Sequence, residues 1–203
     1  MSSIINSSSA SSSSSSSLID SMEKYKEEHY EKEKNLFFKK KQKLDFAKKM
    51  TEKFPLEEMI RSTIYILPNT NKVMINYTVF KLYANDDIYH PIIQTLLGLF
   101  DTTLQSYTSF EVHIILDTFT ITAAERYKSI IKYFFDSCMN SENNYIDKLD
   151  NMYIYYTPTM IDTISKLFSP FIHPELTKRV IYYSKLESPA LIDKLQQCHK
   201  ENI

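Results

Sequence analysis

The feature that most constrains the fold is an alternation of short β-like and helix-like segments that begins after Pro55. The β-like runs are rich in β-branched and aromatic residues, and they read RSTIYI, KVMINYTVFKLY, SFEVHIILD, NMYIYY and KRVIYYSK. The helix-like segments have apolar residues at helical spacing, and they read HPIIQTLLGLFDTTLQ, TAAERYKSIIKYFFDSC, TPTMIDTISKLFSP and SPALIDKLQQ. This order predicts an α/β fold, with helices packed on a mixed, largely parallel sheet and a helical segment in front of it.

Local signals predict where two of these helices begin and end. Thr122 with Glu125 three residues later matches a capping box, which predicts a helix start at that point. Thr157 can cap a later helix that has Pro158 at its first position, and Pro170 predicts the end of that helix. In the strand that contains Phe110 to Leu116, the alternation predicts one thoroughly apolar face.

A single glycine, Gly98, excludes several classes of enzyme. Phosphate-binding loops and dinucleotide fingerprints need glycines where the backbone approaches an anion, and a G-x-S-x-G nucleophile turn needs them too. The five histidines have no metal-ligand spacing, and His113 in a strand fits a hydrogen-bonded structural role. Cys138 fits a core residue and Cys198 fits an exposed terminus, so neither is expected to be a reactive thiolate. We therefore expect no enzyme, no catalytic residue, no metal and no cofactor.

Charge and cysteine content predict the compartment and the partners. The formal net charge is -1, so no overall charge attracts nucleic acid, and we expect no nucleic-acid partner. The two cysteines fit a reducing compartment, and no apolar run approaches the roughly 20 residues of a membrane-spanning helix. The sequence thus predicts a cytoplasmic protein whose membrane contact, if any, is peripheral.

Composition divides the chain into three parts. Residues 1–17 end in the tract SSSASSSSSSS and predict a disordered tail, residues 18–54 predict charged helix, and residues 55–203 predict the α/β domain. In the charged segment, Phe37 and Phe38 stand beside the lysines Lys39, Lys40 and Lys41. Two interpretations stay open: a solvated helix whose charges complement its dipole, or a basic amphipathic face that contacts anionic lipid or an acidic partner.

The segment YIYYTPTMIDTISKLFSPFIHPELTKRVIYYSK, from Tyr153 to Lys185, resembles the core of the CRAL-TRIO lipid-binding domain family. The residues that carry the resemblance are an aromatic-aliphatic strand, a turn with proline, a short helix, a Pro-Phe break, a second proline and a basic residue before the next strand. They are Tyr153, Ile154, Pro158, Phe168, Pro170, Phe171, Pro174, Arg179 and Val180. The resemblance extends over roughly Arg61 to Gln197 and implies the family's fold.

The resemblance also implies a site. The family's gate helix covers an apolar cavity, and the matching gate or cavity residues here are Met160, Ile161, Ile164, Leu167, Phe168 and Phe171. The alternative is an ordinary core helix with no cavity beneath it. Arg179 and Asp147 match positions that contact a phosphoinositide head group in the family, and a cation can pair with phosphate. Lys178, beside Arg179, is a further candidate for the same head group. The alternative for Lys178 and Arg179 is a solvated strand edge.

Three departures from the family pattern leave a second function open. Tyr156 stands where many members have Asn, Thr118 stands where a glycine usually follows Asp117, and Ile146-Asp147 replaces Pro-Glu after Tyr145. These features resemble the divergent branch with BCH-type homology domains. The resemblance to the CRAL-TRIO family as a whole implies non-catalytic binding of a hydrophobic small molecule or phospholipid. The alternative is a protein-interaction domain that engages small GTPases or their regulators without lipid.

Overall fold

The computed structural model describes residues 8–32 and 39–200, with side chains for residues 16–31 and 43–197. The chain forms two compact units. The first consists of Met1–Ser62 together with Val79–Asn85, and the second consists of Thr63–Thr78 together with Asp86–Ile203. The second unit contains the sheet and is the one with the candidate site.

Three helices account for most of the first unit: α1 (Ser8–Lys32), α2 (Lys39–Lys53) and α3 (Leu56–Thr63). Aromatic side chains join α1 to α2, because the Tyr25 ring stacks on Phe46 at 5.9 Å and meets Phe54 edge-on at 6.0 Å. Lys53 Nζ lies 3.8 Å from the centroid of the Tyr25 ring. The charged segment is thus helical on both sides of the gap in the described residues.

Helix α1 differs from the expected disordered tail, because helical backbone begins at Ser8 and includes the serines up to Ser17. Serine is a middling helix former that costs roughly 0.5 kcal/mol relative to alanine. Adding turns to an existing helix is much easier than nucleating one, so the helix that starts as Leu18–Lys32 can extend backward into serines. Ser21 Oγ, for example, donates a hydrogen bond to the Ser17 carbonyl at 2.8 Å.

The second unit is built on five strands: β1 (Ile64–Ile66), β2 (Lys72–Asn76), β3 (Phe110–Ile115), β4 (Leu149–Tyr155) and β5 (Val180–Tyr182). Their spatial order is the same as their order along the chain. Strands β1 and β2 are antiparallel, whereas β2, β3, β4 and β5 run parallel to one another. This mixed, largely parallel sheet with helices packed on it confirms the predicted fold class.

Helices connect the parallel strands. After β2 come α4 (Tyr77–Tyr83), a 3-10 turn (Asp86–Ile88) and α5 (Tyr89–Ser106), and after β3 come α6 (Ile121–Arg126), α7 (Lys128–Met139) and α8 (Tyr145–Lys148). After β4 come α9 (Ile161–Phe168) and α10 (Pro174–Thr177), and α11 (Ser188–Lys200) follows β5. Right-handed crossovers between strands that are added in one direction place their helices on one face of the sheet.

The second predicted strand is shorter than the sequence indicates. KVMINYTVFKLY predicts a strand up to Tyr83, but β2 ends at Asn76 and α4 begins at Tyr77. Asn76 Oδ1 accepts hydrogen bonds from the Thr78 amide at 2.9 Å and the Thr78 hydroxyl at 2.6 Å. An Asn side chain that bonds to the backbone two residues later favours a turn or helix start over a continuing strand. Similarly, in RSTIYI only the last three residues are strand.

Two predicted helix caps are wrong. Thr120 rather than Thr122 caps α6, because Thr120 Oγ1 accepts from the Ala123 amide at 3.2 Å, and the predicted single helix breaks at Tyr127 into α6 and α7. Thr157 does not cap α9, since its hydroxyl donates to the Ile154 carbonyl at 3.2 Å. Helix α9 begins at Ile161, without a side-chain cap, and ends at Phe168, two residues before Pro170.

Candidate functional site

The two faces of the sheet have different chemistry, because side chains alternate along each strand. Phe110 and Val112 of β3 lie on the face that the crossover helices cover, and Glu111 and His113 lie on the other. The register places Val112 beside Met152 of β4, and His113 beside the next residue, Tyr153. One face is therefore apolar at this position and the other is polar and aromatic.

The apolar face forms the floor of a pocket of about 30 Å³. Side chains of β3 and β4 form this floor, and side chains of α5, α7, α8 and α10 form the walls. The lining residues are Phe100, Phe110, Val112, Phe134, Phe135, Cys138, Tyr145, Ile146, Leu149, Met152 and Leu176. Hydrocarbon side chains dominate this lining, so the pocket suits an apolar guest, and its titratable side chains are Cys138 and Tyr145.

Aromatic rings of the pocket lining pack against one another. Phe100 stacks on Phe110 at 4.5 Å, and Tyr145 meets Phe100 edge-on at 5.5 Å. The thiol of Cys138 faces the same space, and burial raises the pKa of Cys138 to about 12. The thiol is therefore protonated at neutral pH and acts as a small apolar group.

The wall formed by α8 is held by hydrogen bonds at both of its ends. At the start, the Tyr145 hydroxyl donates to Asp101 Oδ1 of α5 at 2.7 Å. At the end, Arg179 Nη1 donates to the carbonyls of Ile146 and Leu149, at 2.6 Å in each case. Arg179 is the residue that the family resemblance assigns to a lipid head group, and in this structure its Nη1 holds the wall of the pocket.

The other two predicted head-group residues are exposed and have protein partners. Lys178 Nζ pairs with Glu175 Oε1 at 2.7 Å, and Asp147 Oδ2 accepts from Asn144 Nδ2 at 2.6 Å. The structure does bring Arg179 beside the segment that contains Asp147, through the carbonyl of Ile146.

The predicted gate residues divide by burial. Ile164 and Phe168 are buried, Ile161, Leu167 and Phe171 are half-buried, and Met160 is exposed. Helix α9 packs against α6 and α7, and no residue of the predicted gate set lines the pocket described above. Leu176 of α10, the helix that follows, does line it.

The predicted membrane-contact residues lie where the structure says little. Phe37 and Phe38 are outside the described residues. Lys39, Lys40 and Lys41 form the first turn of α2, and their side chains are outside the described part.

The opposite face of the sheet contains a polar network that the sequence did not predict as a unit. Lys72 Nζ and His113 Nε2 both bind Glu111 Oε2, the latter at 3.2 Å, and His113 Nδ1 lies 2.9 Å from the Tyr155 hydroxyl. Burial lowers the pKa of His113, so the ring is neutral at pH 7. The network then assigns the proton to Nε2, which donates to Glu111, and makes Nδ1 the acceptor for the Tyr155 hydroxyl. His113 thus has the structural role predicted for it.

Two departures from the family pattern fall at residues with positive φ. Thr118 follows β3 with φ 62°, and Tyr156 follows β4 with φ 55°. Glycine and asparagine tolerate this left-handed conformation better than threonine and tyrosine do, which accounts for the residues usual at these positions. The Tyr156 amide donates to Ser188 Oγ at 2.7 Å, and this bond holds the turn.

Within the described residues, no helix is both long and apolar enough to cross a membrane, and no group of three His, Cys, Asp or Glu residues is arranged to hold a metal ion. Comparison with curated proteins finds no match. The family model of the CRAL/TRIO domain matches residues 44–202, which includes all five strands and the pocket. The chain therefore belongs to the CRAL/TRIO domain family, whose members in general bind small hydrophobic ligands such as lipids.

Proposed function

We propose that this protein binds a lipid without chemical turnover, with the apolar part of the lipid in the pocket between the sheet and the crossover helices. The observation that supports this most is the lining, in which hydrocarbon side chains from β3, β4 and four helices meet around one space. Membership in a family of hydrophobic-ligand binders supports the same conclusion.

The pocket has to enlarge for a lipid to enter. Its volume is about 30 Å³, whereas pockets for small ligands span roughly 300–1,000 Å³. The segment best suited to move is α9–α10, because α10 places Leu176 in the wall, Pro170 lies between the two helices and Pro174 is the first residue of α10. Prolines restrict the backbone and so concentrate a movement at the residues around them. In this proposal α9 and α10 act together as the gate.

A non-catalytic role fits the chemistry of the pocket. Its one thiol, Cys138, is protonated, and its one hydroxyl, from Tyr145, is bonded to Asp101. The buried histidine, His113, lies on the other face of the sheet and is bonded to Glu111 and Tyr155. Apolar contacts with the pocket can therefore stabilise a bound ligand. The lining has no nucleophile and base close enough to act together.

The small volume favours a second candidate function. A CRAL/TRIO fold whose pocket stays closed could bind a partner only through its outer surface. The resemblance to the BCH-type branch then implies a protein-interaction domain for small GTPases or their regulators. The two candidates predict different contents of the purified protein, since a closed domain carries no lipid.

Native mass spectrometry followed by organic extraction separates them, with two adjacent residues of α7 as a matched pair. Cys138 lines the pocket, whereas Met139 is exposed. We expect lipid to copurify with the wild type and with Met139→Phe, and to be lost from Cys138→Phe, in which the ring occupies the pocket. Circular dichroism checks that both variants are folded. Absence of lipid from wild type, together with failure to take up added lipid, would select the closed domain.

Membrane contact through the Phe37–Lys41 segment remains a prediction of the sequence. If it is correct, binding of the protein to anionic liposomes falls as salt screens the lysines. Binding that is the same at low and high salt would contradict the electrostatic part.

A further inference from the structure

Arg126, the last residue of α6, has an atom whose hydrogen-bonding capacity is unused. Its Nε is inaccessible to solvent and has no hydrogen-bond partner in the part of the chain that the structure describes. An unsatisfied buried donor costs free energy, and the cost is larger for a charged group. No carboxylate pairs with Arg126 among the described residues, so the guanidinium lacks a counter-charge where one would be favourable.

The surroundings of Arg126 suit the polar end of a ligand. The Arg126 Cζ lies 5.7 Å from the Tyr127 ring centroid. Burial raises the pKa of the Tyr127 hydroxyl, and the neighbouring Arg126 charge acts to lower it. Tyr77 meets Tyr127 edge-on at 6.1 Å, and Lys128, the next residue along the chain, is exposed. The site thus combines one half-buried cation, one exposed cation and tyrosine rings.

The position of Arg126 connects it to the proposed gate. Arg126 and Tyr127 stand where α6 passes into α7, and α9 packs on both of these helices. Lys128 Nζ lies 5.4 Å from the ring centroid of Phe171, in the segment between α9 and α10. A ligand bound at Arg126 would therefore lie next to the elements that have to move.

Helix α7 leads from Arg126 to the pocket. Tyr127, Ile130, Phe134 and Cys138 recur at helical spacing along one side of it, and Phe134 and Cys138 line the pocket. The ten residue steps from Lys128 to Cys138 span about 15 Å of helix. This length suits part of an acyl chain.

We propose that Arg126 anchors the oxyanion head group of an amphiphile whose chain runs along α7 into the apolar pocket. This proposal rests on the proposed lipid-binding function and adds the chemical class of the ligand, an acyl chain ending in a carboxylate or a phosphate. A planar guanidinium binds either oxyanion through charge-assisted hydrogen bonds. Arg179, by contrast, already donates to two carbonyls of the pocket wall.

The test compares wild type with Arg126→Met, using three probes that share one chain: oleic acid, oleoyl lysophosphatidic acid and oleyl alcohol. Each is titrated below its micelle concentration, with isothermal calorimetry as the measurement. We expect wild type to bind at least one anionic probe more tightly than the alcohol. In Arg126→Met that preference should fall about 10- to 100-fold, because one or two charge-assisted hydrogen bonds are lost. The affinity for oleyl alcohol should be unchanged. The anionic probe that is affected identifies the source as carboxylate or phosphate.

A second measurement separates an anchor from a structural residue. Because Nε is unsatisfied without ligand, the melting temperature of ligand-free Arg126→Met should equal or exceed that of wild type. Arg61→Met, which removes an exposed arginine paired with Glu57, is the control for loss of charge. A clear drop in the melting temperature of Arg126→Met, or unchanged binding of both anionic probes, would overturn the assignment of Arg126. If none of the three probes binds to wild type, both the anchor and the proposed lipid-binding function are wrong.

Discussion

The two faces of the β3–β4 pair differ in chemistry: one is apolar and lines the pocket, and the other is polar and hydrogen-bonded. On one face Phe110, Val112 and Met152 form the floor of an apolar pocket. On the other, Glu111 and His113 belong to a network of hydrogen bonds and ion pairs with Lys72 and Tyr155. Residues one position apart in sequence therefore belong to two different environments.

The difference determines which face can open. Apolar side chains can separate around a hydrophobic guest, because the new contacts replace the lost ones and no donor or acceptor is left unpaired. Opening the polar face would leave buried hydrogen-bonding groups of Glu111, His113 and Tyr155 without partners, which costs about 1–3 kcal/mol for each group. We infer that ligand binding belongs to the apolar face and that the polar network holds the strands in register.

The largest effect is expected from truncating the apolar face. Phe100→Ala removes a buried ring that stacks on Phe110, and it should lower the free energy of unfolding by about 3–5 kcal/mol. Chemical denaturation measures this, with Leu186→Ala as the control, because Leu186 is 94% exposed. A loss below about 1 kcal/mol would show that this end of the pocket is loosely packed and would sharpen the case for an expandable cavity.

The polar face should respond next. Glu111→Ala removes the shared acceptor of Lys72 and His113, and we expect a loss of roughly 2–3 kcal/mol because both donors are left unpaired in a mostly buried site. The matched control is Glu57→Ala, whose exposed pair with Arg61 should contribute less than about 1 kcal/mol. Equal effects of the two substitutions in denaturation would remove the distinction between the buried network and a surface ion pair.

A smaller, pH-dependent effect should come from His113. Burial lowers the pKa of His113 below its ordinary value of 6.5, so the folded state binds fewer protons than the unfolded state in the range below that value. Its contribution to stability is therefore complete above about pH 6.5 and is lost as pH falls toward the folded pKa. Urea denaturation from pH 7.5 to pH 5 should show this loss.

The control for the pH effect is His113→Gln, which keeps hydrogen-bonding groups but does not titrate. Its unfolding free energy should fall less than that of wild type between pH 6.5 and pH 5. Identical profiles for the two proteins would mean that His113 titrates normally in the folded state.

The smallest effect concerns the aromatic side chains of the polar face. Tyr153 stacks on His113 at 4.7 Å and on Tyr183 at 6.2 Å, and stacked pairs contribute about 0.5–1.5 kcal/mol beyond burial. Tyr153→Leu should therefore cost about 1 kcal/mol, whereas Tyr182→Leu, at an exposed position of β5, should be close to neutral. Thermal denaturation that ranks the two substitutions in the reverse order would contradict the stacking contribution.

The sequence by itself determined the class of fold and the chemistry of each sheet face. Period-2 alternation in β3 places Phe110 and Val112 opposite Glu111 and His113, and strands that alternate with helices make most of the sheet parallel. These features follow from local patterns, because side-chain direction in a strand is set by position alone. The family was recognisable for the same reason, since its characteristic residues are close together along the chain.

Local boundaries were harder to predict where two structures compete. The residues from Tyr77 to Tyr83 have strand-like composition but form a helix, because Asn76 Oδ1 accepts a hydrogen bond from the Thr78 amide two residues later. Propensity differences between strand and helix are small for such residues, so one side-chain hydrogen bond can decide between them.

Only the tertiary structure decided what each arginine does. Arg179 donates to the carbonyls of Ile146 and Leu149, which lie 33 and 30 residues earlier in the chain. Arg126 resembled any charged residue at a helix end, and its unsatisfied Nε depends on burial created by the packed helices. Hydrogen-bond partners and pocket walls form only when segments that are distant in sequence meet in the folded protein. Neither composition nor periodicity shows which segments will meet.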